Sequence, residues 1–438
     1  MSVTVYHGDS REVLKGFADS SIDSVVCDPP YALVSIGKRF GGENAAPAQS
    51  GKSGAYARAS AGFMGQKWDT GETAFDPAFW VEVLRVLKPG GHLIAFSGTR
   101  TYHRLACAIE DAGFEMRDMV AWLYGSGFPK SHDVSKGIDK AAGAVREKVR
   151  VDAADLKNPP NMLGGVHSGA NDRPWREAAM ANGFHEKDGD EPATDADRQW
   201  RGWGTALKPA LEPIVLARKP LAGTVAANVL QHGTGALNID ASRVGTGKDK
   251  GIWPISERRH DDVTSTLPPT PTDTSKGRWP ANVIVDGSEE VVGAFPETGA
   301  SSGRPRNNGD FKSVAKGRDL PHVTHGHDDA GGSAARFFYS AKADAADRCG
   351  SKHPTVKPVD LMAYLVRLVT PPGGVTLDPF AGSGSTGMAC LREGFDCILI
   401  EREAQYVADI HKRLAHVKGT DAPLFAEPVA KPVQDVLI

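Results

Sequence analysis

The 438-residue sequence has little cysteine, no surplus of one charge and no long apolar run. The formal net charge is −3, so a nucleic-acid partner has to be argued from local basic segments. No run is apolar enough to span a membrane, and the N-terminus does not resemble a signal peptide. The five cysteines are odd in number, widely spaced and without zinc-ligand spacing, which predicts reduced thiols, no metal site and a cytoplasmic chain.

Short apolar runs alternate with helical spacing near both ends of the chain. The runs that predict strands are 3–7, 24–28, 92–97, 118–124, 212–218, 374–378 and 397–401. Helices are predicted over 75–91, with a glycine stop, and over 99–112, 359–370 and 385–393. The middle of the chain is polar and irregular. This pattern predicts one α/β domain assembled from both termini, with polar regions inserted into it.

A glycine-rich turn, VTLDPFAGSGSTG, occupies 375–387 between a predicted strand and a predicted helix. Gly382 and Gly384 allow the backbone to approach a ligand where a Cβ atom would clash. Glu401 ends the next predicted strand, where a carboxylate can accept hydrogen bonds from both ribose hydroxyls. These features indicate a nucleoside cofactor, although nicotinamide-binding folds share the same geometry.

The tetrapeptide Asp28-Pro29-Pro30-Tyr31 follows another apolar strand. Its prolines fix φ and remove two backbone donors. The carboxylate of Asp28 and the carbonyl of Pro29 can each accept one hydrogen of an aromatic amine, which frees the nitrogen lone pair for attack on an electrophilic methyl group. Tyr31 can stack on the base. These four residues are the predicted catalytic residues.

Together the two motifs resemble the amino-methyltransferases of DNA in the circular order called the beta class. In that order the catalytic tetrad comes first, the recognition domain lies in the middle and the cofactor turn comes last. HPTVKP (353–358) and HGDS (7–10) are similar to segments that border the cofactor in this class, and WLYGSGFPK (122–130) is similar to the segment that lines the target-base pocket.

The resemblance implies a Rossmann-like, mostly parallel seven-stranded sheet with circularly permuted motif order and one antiparallel hairpin built from 118–124 and 212–218. It implies S-adenosyl-L-methionine as the cofactor. Asp9, Asp378 and Glu401 are expected to lie close together at the carboxyl edge of the sheet. The predicted cofactor-binding residues are Asp9, Ser10, Asp28, His353, Thr355, Lys357, Asp378, Phe380, Ala381, Gly382, Gly384 and Glu401.

The resemblance also sets the predicted domain boundaries. Residues 1–124 form the catalytic half of the methyltransferase domain, 206–220 return a strand to its sheet, and 351–420 form the cofactor-binding half. Two inserted regions, 125–205 and 221–350, are candidates for target recognition. Residues 421–438 are a tail.

Two basic segments are candidate DNA contacts. Residues 32–67 hold five basic side chains against one acidic side chain, and we interpret this segment as a lid over phosphate and a flipped base. Residues 303–319 hold five against two. Trp200 and Trp203 could stack on bases, but core packing is the more common role of such residues. The predicted DNA-binding residues are Lys38, Arg39, Trp122, Phe128, Arg304 and Arg306.

The predicted function is methyl transfer to the N6 amino group of adenine in double-stranded DNA, with base flipping. Cytosine N4 methylation is the alternative within the class. Protein glutamine methylation uses a similar tetrad, usually with Asn first. A nicotinamide oxidoreductase would leave DPPY and HPTVKP unexplained, and a non-catalytic DNA-binding module would bind no cofactor. A homodimer is left open.

Overall fold

The structure, a computed structural model, divides the chain into two compact units. The first comprises 1–29, 74–125 and 212–438, and the second comprises 30–73 and 126–211. The predicted lid at 32–67 and the tail at 421–438 lie outside the described residues. The residues described are 1–31, 73–127, 131–152, 181–244, 252–255, 270–273, 277–300, 305–307, 323–325, 331–341, 345–351, 353 and 355–418.

The regular elements have the following bounds. The strands are β1 Val3–His7, β2 Ile22–Cys27, β3 Leu87–Phe96, β4 Glu115–Leu123, β5 Lys148–Asp152, β6 Phe184–Asp188, β7 Leu211–Arg218, β8 Ile252–Ile255, β9 Thr270–Asp273, β10 Val283–Val285, β11 Glu297–Thr298, β12 Pro305–Asn307, β13 Val323–His325, β14 Gly332–Ser333, β15 Tyr339–Ser340, β16 Val375–Asp378 and β17 Asp396–Glu401. The α-helices are α1 Ser10–Val13, α2 Pro77–Val86, α3 Tyr102–Asp111, α4 Val134–Ala141, α5 Asp195–Gln199, α6 Val225–His232, α7 Glu289–Ala294, α8 Val359–Val369, α9 Ser385–Glu393 and α10 Ala404–Lys418.

A mostly parallel sheet organises the first unit, with the strand order β1-β17-β16-β2-β3-β7-β4-β10-β15. The strands from β1 to β3 are parallel neighbours, β7 is antiparallel to β3, and β10 is parallel to β4 and β15. The first strand therefore pairs with the last, as the permuted order requires. The α/β class is confirmed.

All seven predicted strands belong to this sheet, and β4 and β7 are neighbours as the predicted hairpin requires. The count of seven was too low, because β10 and β15 extend the sheet beyond β4 to nine strands. Both are only two or three residues long, within a region predicted to be irregular. Such short runs carry no period that a sequence pattern can detect.

The boundary predicted within 75–91 was wrong. Helix α2 ends at Val86, before the glycines, and β3 begins at Leu87. The register with β2 shifts between Ile22, which pairs with Leu87, and Ser24, which pairs with His92. The glycines thus accommodate a bulge inside a strand rather than stopping a helix. The other three predicted helices correspond to α3, α8 and α9, with α3 beginning three residues later than predicted.

The core of the first unit packs against the sheet. Trp80 of α2 is fully buried and its indole N–H donates to the carbonyl of Ala74 at 2.8 Å. Helix α8 is also almost entirely buried. Three polar side chains of this core pair with one another: the hydroxyl of Ser24 lies 2.8 Å from that of Thr370 and 3.1 Å from that of Thr376. None of the helices in the described ranges is long and apolar enough to cross a membrane.

Residues 221–350, predicted as a second recognition region, contribute regular elements to the first unit. They supply α6 and two strands of the main sheet, β10 and β15. Asp286, directly after β10, accepts a hydrogen bond from the backbone N–H of Gly125 at 2.8 Å. At least this part of the region therefore belongs structurally to the main domain.

The second unit contains the β5–β6 hairpin, α4 and α5. At its centre the buried guanidinium of Arg146 donates to Asp139 at 2.8 Å, to Ser135 at 3.0 Å and to Asp197. No sequence pattern predicted this network, because its residues form no recognised motif and Asp197 lies 51 residues from Arg146.

Trp200 and Trp203 lie at the surface of the second unit. They are 41% and 60% exposed, and their rings pack edge to face with centroids 5.1 Å apart. The expectation of core packing for this pair was therefore wrong.

Candidate active site

Four neighbouring strands bring polar and aromatic groups to one edge of the main sheet. Asp28 follows β2, Phe96 ends β3 and Tyr124 follows β4. Because β7 runs antiparallel to β3, its beginning lies at this same edge, and Glu212 is its second residue. Ligands of open α/β sheets bind at this carboxyl edge.

The ammonium of Lys357 joins these strands. Its Nζ lies 2.8 Å from Oδ2 of Asp28, 3.1 Å from Oε2 of Glu212 and 5.0 Å from the ring centroid of Phe96. Burial disfavours the charged ammonium, but the two carboxylates outweigh that effect and hold the pKa of Lys357 above its usual value. Lys357 was predicted to bind the cofactor. In the structure its ammonium forms ion pairs with the carboxylates of Asp28 and Glu212.

The two carboxylate oxygens of Asp28 differ in their hydrogen-bond partners. Oδ2 accepts from Lys357, whereas Oδ1 is buried and has no hydrogen-bond partner within the part of the chain that the structure describes. A buried acceptor without a donor is costly unless a ligand supplies one. Pro30 and Tyr31 fall in the second unit, so their predicted contacts with a base stay predictions.

The glycine-rich turn follows β16 and is held by carboxylates at its two sides. Asp378 accepts from the N–H of Phe380 at 3.0 Å and from the hydroxyl of Thr386 at 2.5 Å. Glu401 accepts from the N–H of Gly382 at 2.8 Å through one oxygen and from that of Glu403 at 2.8 Å through the other. Both carboxylates therefore fix the turn itself, whichever cofactor contacts they make.

The two glycines of the turn have positive φ, +51° at Gly382 and +77° at Gly384. A Cβ atom at Gly382 would lie 3.1 Å from Nε2 of His353, and one at Gly384 would lie 3.0 Å from the side chain of Ile410. Close approach of a ligand is therefore not the only reason for these glycines, since backbone conformation and contact with the protein's own side chains require them as well.

Asp9 lies where the permuted order placed it. His7 pairs with Glu401 in the parallel register of β1 and β17, and the N–H of Gly8 donates to the carbonyl of Glu401 at 3.0 Å. β1, β17 and β16 are adjacent, so the convergence of Asp9, Glu401 and Asp378 is confirmed. Asp9 also caps α1, where a hydrogen bond and ion pair from Arg11 lower its pKa.

The remaining predicted cofactor residues differ in exposure. Ser10 and His353 are buried, and Thr355 is exposed. Burial lowers the pKa of His353 to about 4, which keeps the ring neutral near pH 7. Phe380 packs its ring against Phe79, with centroids 5.1 Å apart, so it belongs in part to the core. The N–H of Ala381 donates to the carbonyl of Ile400 at 3.0 Å.

Arg413, which the sequence analysis missed, supports the turn from α10. Its fully buried guanidinium donates to the carbonyl of Ser383, to the hydroxyl of Ser385 at 3.2 Å and to the carbonyl of Asp347 at 3.0 Å. Because an arginine presents several donors in a fixed planar array, it holds all these acceptors at once. In the described ranges no group of three or more His, Cys, Asp or Glu side chains could hold a metal ion.

Most of the predicted DNA-binding residues cannot be placed. Lys38, Arg39, Phe128 and Arg304 lie outside the described residues, and for Arg306 only its position in β12 is described. The remaining one, Trp122, is buried within β4. Its ring centroid lies 5.2 Å from that of Tyr124, and its indole N–H has no hydrogen-bond partner among the residues described.

The model of the N6/N4 DNA methylase family matches residues 22–412. The chain belongs to this DNA methylase family. The match includes both the DPPY tetrad and the glycine-rich turn, so the family resemblance deduced from those motifs is confirmed.

Individual relatives match shorter parts of the chain than the family model does. The Escherichia coli (strain K12) protein YubD is 47% identical over 66 residues, which are 15% of this chain and 29% of YubD. The type II methyltransferase M.HindIII of Haemophilus influenzae is 26% identical over 248 residues, 53% of this chain and 64% of M.HindIII. The chain thus spans less than two thirds of either relative.

Among solved structures, the complex of M1.HpyAVI with SAM covers 94% of this chain and 98% of its own, at 14% identity and a TM-score of 0.36. A likeness of this strength carries no argument about function.

Asp378 provides a test of the turn that depends on pH. Burial raises the pKa of this carboxyl from 3.8 to about 7, although its hydrogen bonds from Thr386 and Phe380 act in the opposite direction. A carboxyl that is protonated more readily in the folded state stabilises the fold below its unfolded pKa. That contribution is lost as pH rises from about 4 to about 7.

We therefore expect Asp378→Asn to weaken the fall in melting temperature over this pH range, because the amide cannot ionise. Thermal unfolding at a series of pH values measures it. Asp76→Asn is the matched control, since Asp76 is an exposed N-cap of α2 that asparagine replaces well. Parallel curves for the wild type and Asp378→Asn would contradict the prediction.

Proposed function

We propose that this protein transfers a methyl group from S-adenosyl-L-methionine to the exocyclic N6 amino group of adenine in double-stranded DNA, with the target base flipped out of the helix. The observation that carries the proposal is the state of Asp28. Its Oδ1 is buried without a hydrogen-bond partner among the described residues, while its Oδ2 is held by Lys357. An amino group would supply the missing donor.

The residues fit a nucleoside cofactor beside that acceptor. Asp9, Glu401 and the turn at Gly382 converge at the carboxyl edge of adjacent parallel strands, and the turn has the positive φ values that such loops adopt. When bound there, S-adenosylmethionine supplies an electrophilic methyl group. Glu401 and Asp9 would bind its nucleoside part.

Catalysis in this proposal rests on positioning and electrostatics. Oδ1 of Asp28 and the carbonyl of Pro29 accept the two hydrogens of the amine and draw its lone pair out of conjugation with the ring. As the new C–N bond forms and the S–C bond breaks, the nitrogen gains positive charge, which the carboxylate of Asp28 stabilises. After the methyl group has arrived, the extra proton passes to the carboxylate of Asp28, which already accepts a hydrogen bond from the amine, and S-adenosylhomocysteine is the leaving group.

Methylation of ring carbon requires a different nucleophile, and Cys27 does not fit that role. Its side chain is fully buried, its Sγ lies 3.7 Å from the carbonyl of Ile94, and burial raises the pKa of the thiol well above 9.0. A catalytic cysteine needs an accessible, stabilised thiolate. Formation of 5-methylcytosine is therefore not expected.

The target base is tested by transfer of a tritiated methyl group to DNA, followed by digestion to nucleosides. We expect N6-methyladenine. N4-methylcytosine would show the alternative within the same family, whose model covers both reactions, and would leave the mechanism unchanged. Label in 5-methylcytosine, or label only in glutamine residues of added protein, would overturn the proposal.

A further inference from the structure

Glu212 shares the ammonium that holds Asp28, yet it lies in neither sequence motif. Its Oε2 is 3.1 Å from Nζ of Lys357, which in turn is 2.8 Å from Oδ2 of Asp28. The three groups are supplied by segments more than 140 residues apart in the chain. Asp28, Lys357 and Glu212 thus form a row of alternating charges at the edge of the sheet. This arrangement indicates a function for Lys357 and Glu212 as well as for Asp28.

The reversed direction of β7 is what brings Glu212 to this edge. Phe96 at the end of β3 pairs with Ile214, so the residues that precede Ile214 lie beyond the end of β3. A parallel strand in this position would place its first residues at the opposite edge. The antiparallel strand therefore adds a carboxylate beside a carboxyl edge otherwise built by parallel strands.

The charges of this row explain why a second carboxylate is useful. A buried ammonium paired with Asp28 alone would neutralise it, and Asp28 would then be a weaker acceptor for an amine. With Glu212 present, one positive charge is shared by two carboxylates, and the row keeps a net negative charge. The flexible stem of Lys357 is also fixed at its head, between the two carboxylates and the ring of Phe96.

We propose that Glu212 is a positioning residue for amino-group methylation, which anchors Lys357 so that Asp28 keeps Oδ1 directed at the target amine and retains its negative charge. This inference rests on the proposed function. Glu212 itself does not need to contact the substrate or the cofactor.

The first test is Glu212→Gln in the full-length protein. We expect kcat for methyl transfer to fall by about 10- to 100-fold, the range that a slightly misplaced reacting group costs. The KM values for DNA and for S-adenosylmethionine should stay within about two-fold, since Glu212 acts only through the reacting group. Glu212→Asp, which keeps the charge on a shorter side chain, should recover part of the lost kcat.

The second readout is the pH profile of kcat. Removing Glu212 removes one of the two carboxylates that raise the pKa of Lys357 against the effect of burial. The alkaline limb of Glu212→Gln should therefore begin at lower pH than in the wild type. Tyr124 and His353 also interact electrostatically with Lys357. Tyr124→Phe in the Glu212→Gln background shows whether the phenol of Tyr124 causes the shift of the alkaline limb. If the shift disappears in this double variant, the assignment to Lys357 is contradicted.

A double-mutant cycle separates positioning from a general structural effect. In a Lys357→Met background, Glu212→Gln should cause no further loss of kcat, because the group through which it acts is gone. Additive losses would overturn the proposal, as would a Glu212→Gln enzyme with wild-type kcat and an unshifted alkaline limb.

Activity of the wild type decides a separate question. If the wild type methylates no DNA amino group, the proposed function fails, whatever the variants do. If the wild type is active, the variants test Glu212 alone. Should Glu212→Gln not fold, as judged by its melting temperature and its affinity for S-adenosylmethionine, Glu212→Asp is measured in the same way. If a structure of Glu212→Asp then shows that Nζ of Lys357 has moved, while kcat and its pH profile remain those of the wild type, the proposal is contradicted.

Discussion

Replacing Asp28 by alanine is expected to lower kcat for methyl transfer by roughly 10²- to 10³-fold, the cost of removing one group that stabilises charge in a transition state. Affinity for S-adenosylmethionine should change little, because Oδ1 of Asp28 is the acceptor for the base amine in the proposed mechanism. The protein should also stay folded, since Lys357 keeps Glu212 as a partner.

Asp28→Asn tests the same idea more sharply. An asparagine has nearly the same shape and still carries one acceptor oxygen. Lys357 donates to the Oδ2 position, so the amide must turn its oxygen toward the ammonium and its NH₂ group toward the base. Two donors would then face each other where the amine should bind. We therefore expect Asp28→Asn to be as inactive as Asp28→Ala.

Single-turnover methyl transfer and calorimetry with S-adenosylmethionine measure these two variants. Asp76→Asn, an exposed aspartate elsewhere in the same unit, is the control and should behave as the wild type. An active Asp28→Asn enzyme would show that the carboxylate is not the acceptor, and loss of cofactor affinity in both variants would assign Asp28 to the cofactor instead.

Gly384→Val should differ from the Asp28 variants in its affinity for the cofactor. Its backbone has a φ of +77° and a Cβ atom would meet Ile410 at 3.0 Å, so any side chain there strains the turn. Cofactor affinity should be lost together with activity, through distortion of the turn.

The strands that the sequence predicted correctly share one property. Each includes a run rich in apolar residues that stands out from its polar surroundings, and some of them, such as β2, are buried along their whole length. β10 and β15 were missed because three and two residues cannot show a period. The end of α2 was misplaced because Pro89-Gly90-Gly91 commonly stops a helix, whereas here the pairing of β3 with β2 decides the conformation.

The candidate site divides in the same way. Asp28, Gly382 and Glu401 were found because each lies in a local motif next to a predicted strand. Glu212 and Arg413 were missed because their partners lie far away in the chain, Lys357 for the first and Ser383 and Asp347 for the second. A charged residue at the start of an antiparallel strand was the one available signal for Glu212, and only topology gives it meaning.

The pair Trp200 and Trp203 shows the limit of reasoning from residue type alone. Tryptophan is usually highly buried, yet this pair is exposed on the second unit, where the core is instead formed around charged groups. An arginine takes the central position there, which no hydrophobic pattern could reveal. The stability of the second unit should therefore depend on Arg146.

Arg146→Ala is expected to disrupt the second unit while leaving cofactor binding to the first unit intact. The substitution would leave the buried carboxylates of Asp139 and Asp197 without a countercharge, which is among the most destabilising changes that a protein interior can undergo. The remaining donors to Asp139, the N–H of Ala193 at 3.0 Å and the hydroxyl of Thr194 at 2.8 Å, carry no charge.

Hydrogen exchange over 134–152 and 184–199 measures the disruption, and the matched control is Arg150→Ala. Arg150 lies in β5, four residues after Arg146, and pairs with Glu186 at 3.1 Å, but its side chain is 71% exposed, so its loss should have little effect. If the second unit reads the DNA sequence, Arg146→Ala should also lower specific DNA affinity by at least about 10³-fold, toward the non-specific level, with calorimetry showing unchanged binding of S-adenosylmethionine. Equal exchange in the two variants would refute the structural role of Arg146, because only one of the two arginines lies between buried carboxylates.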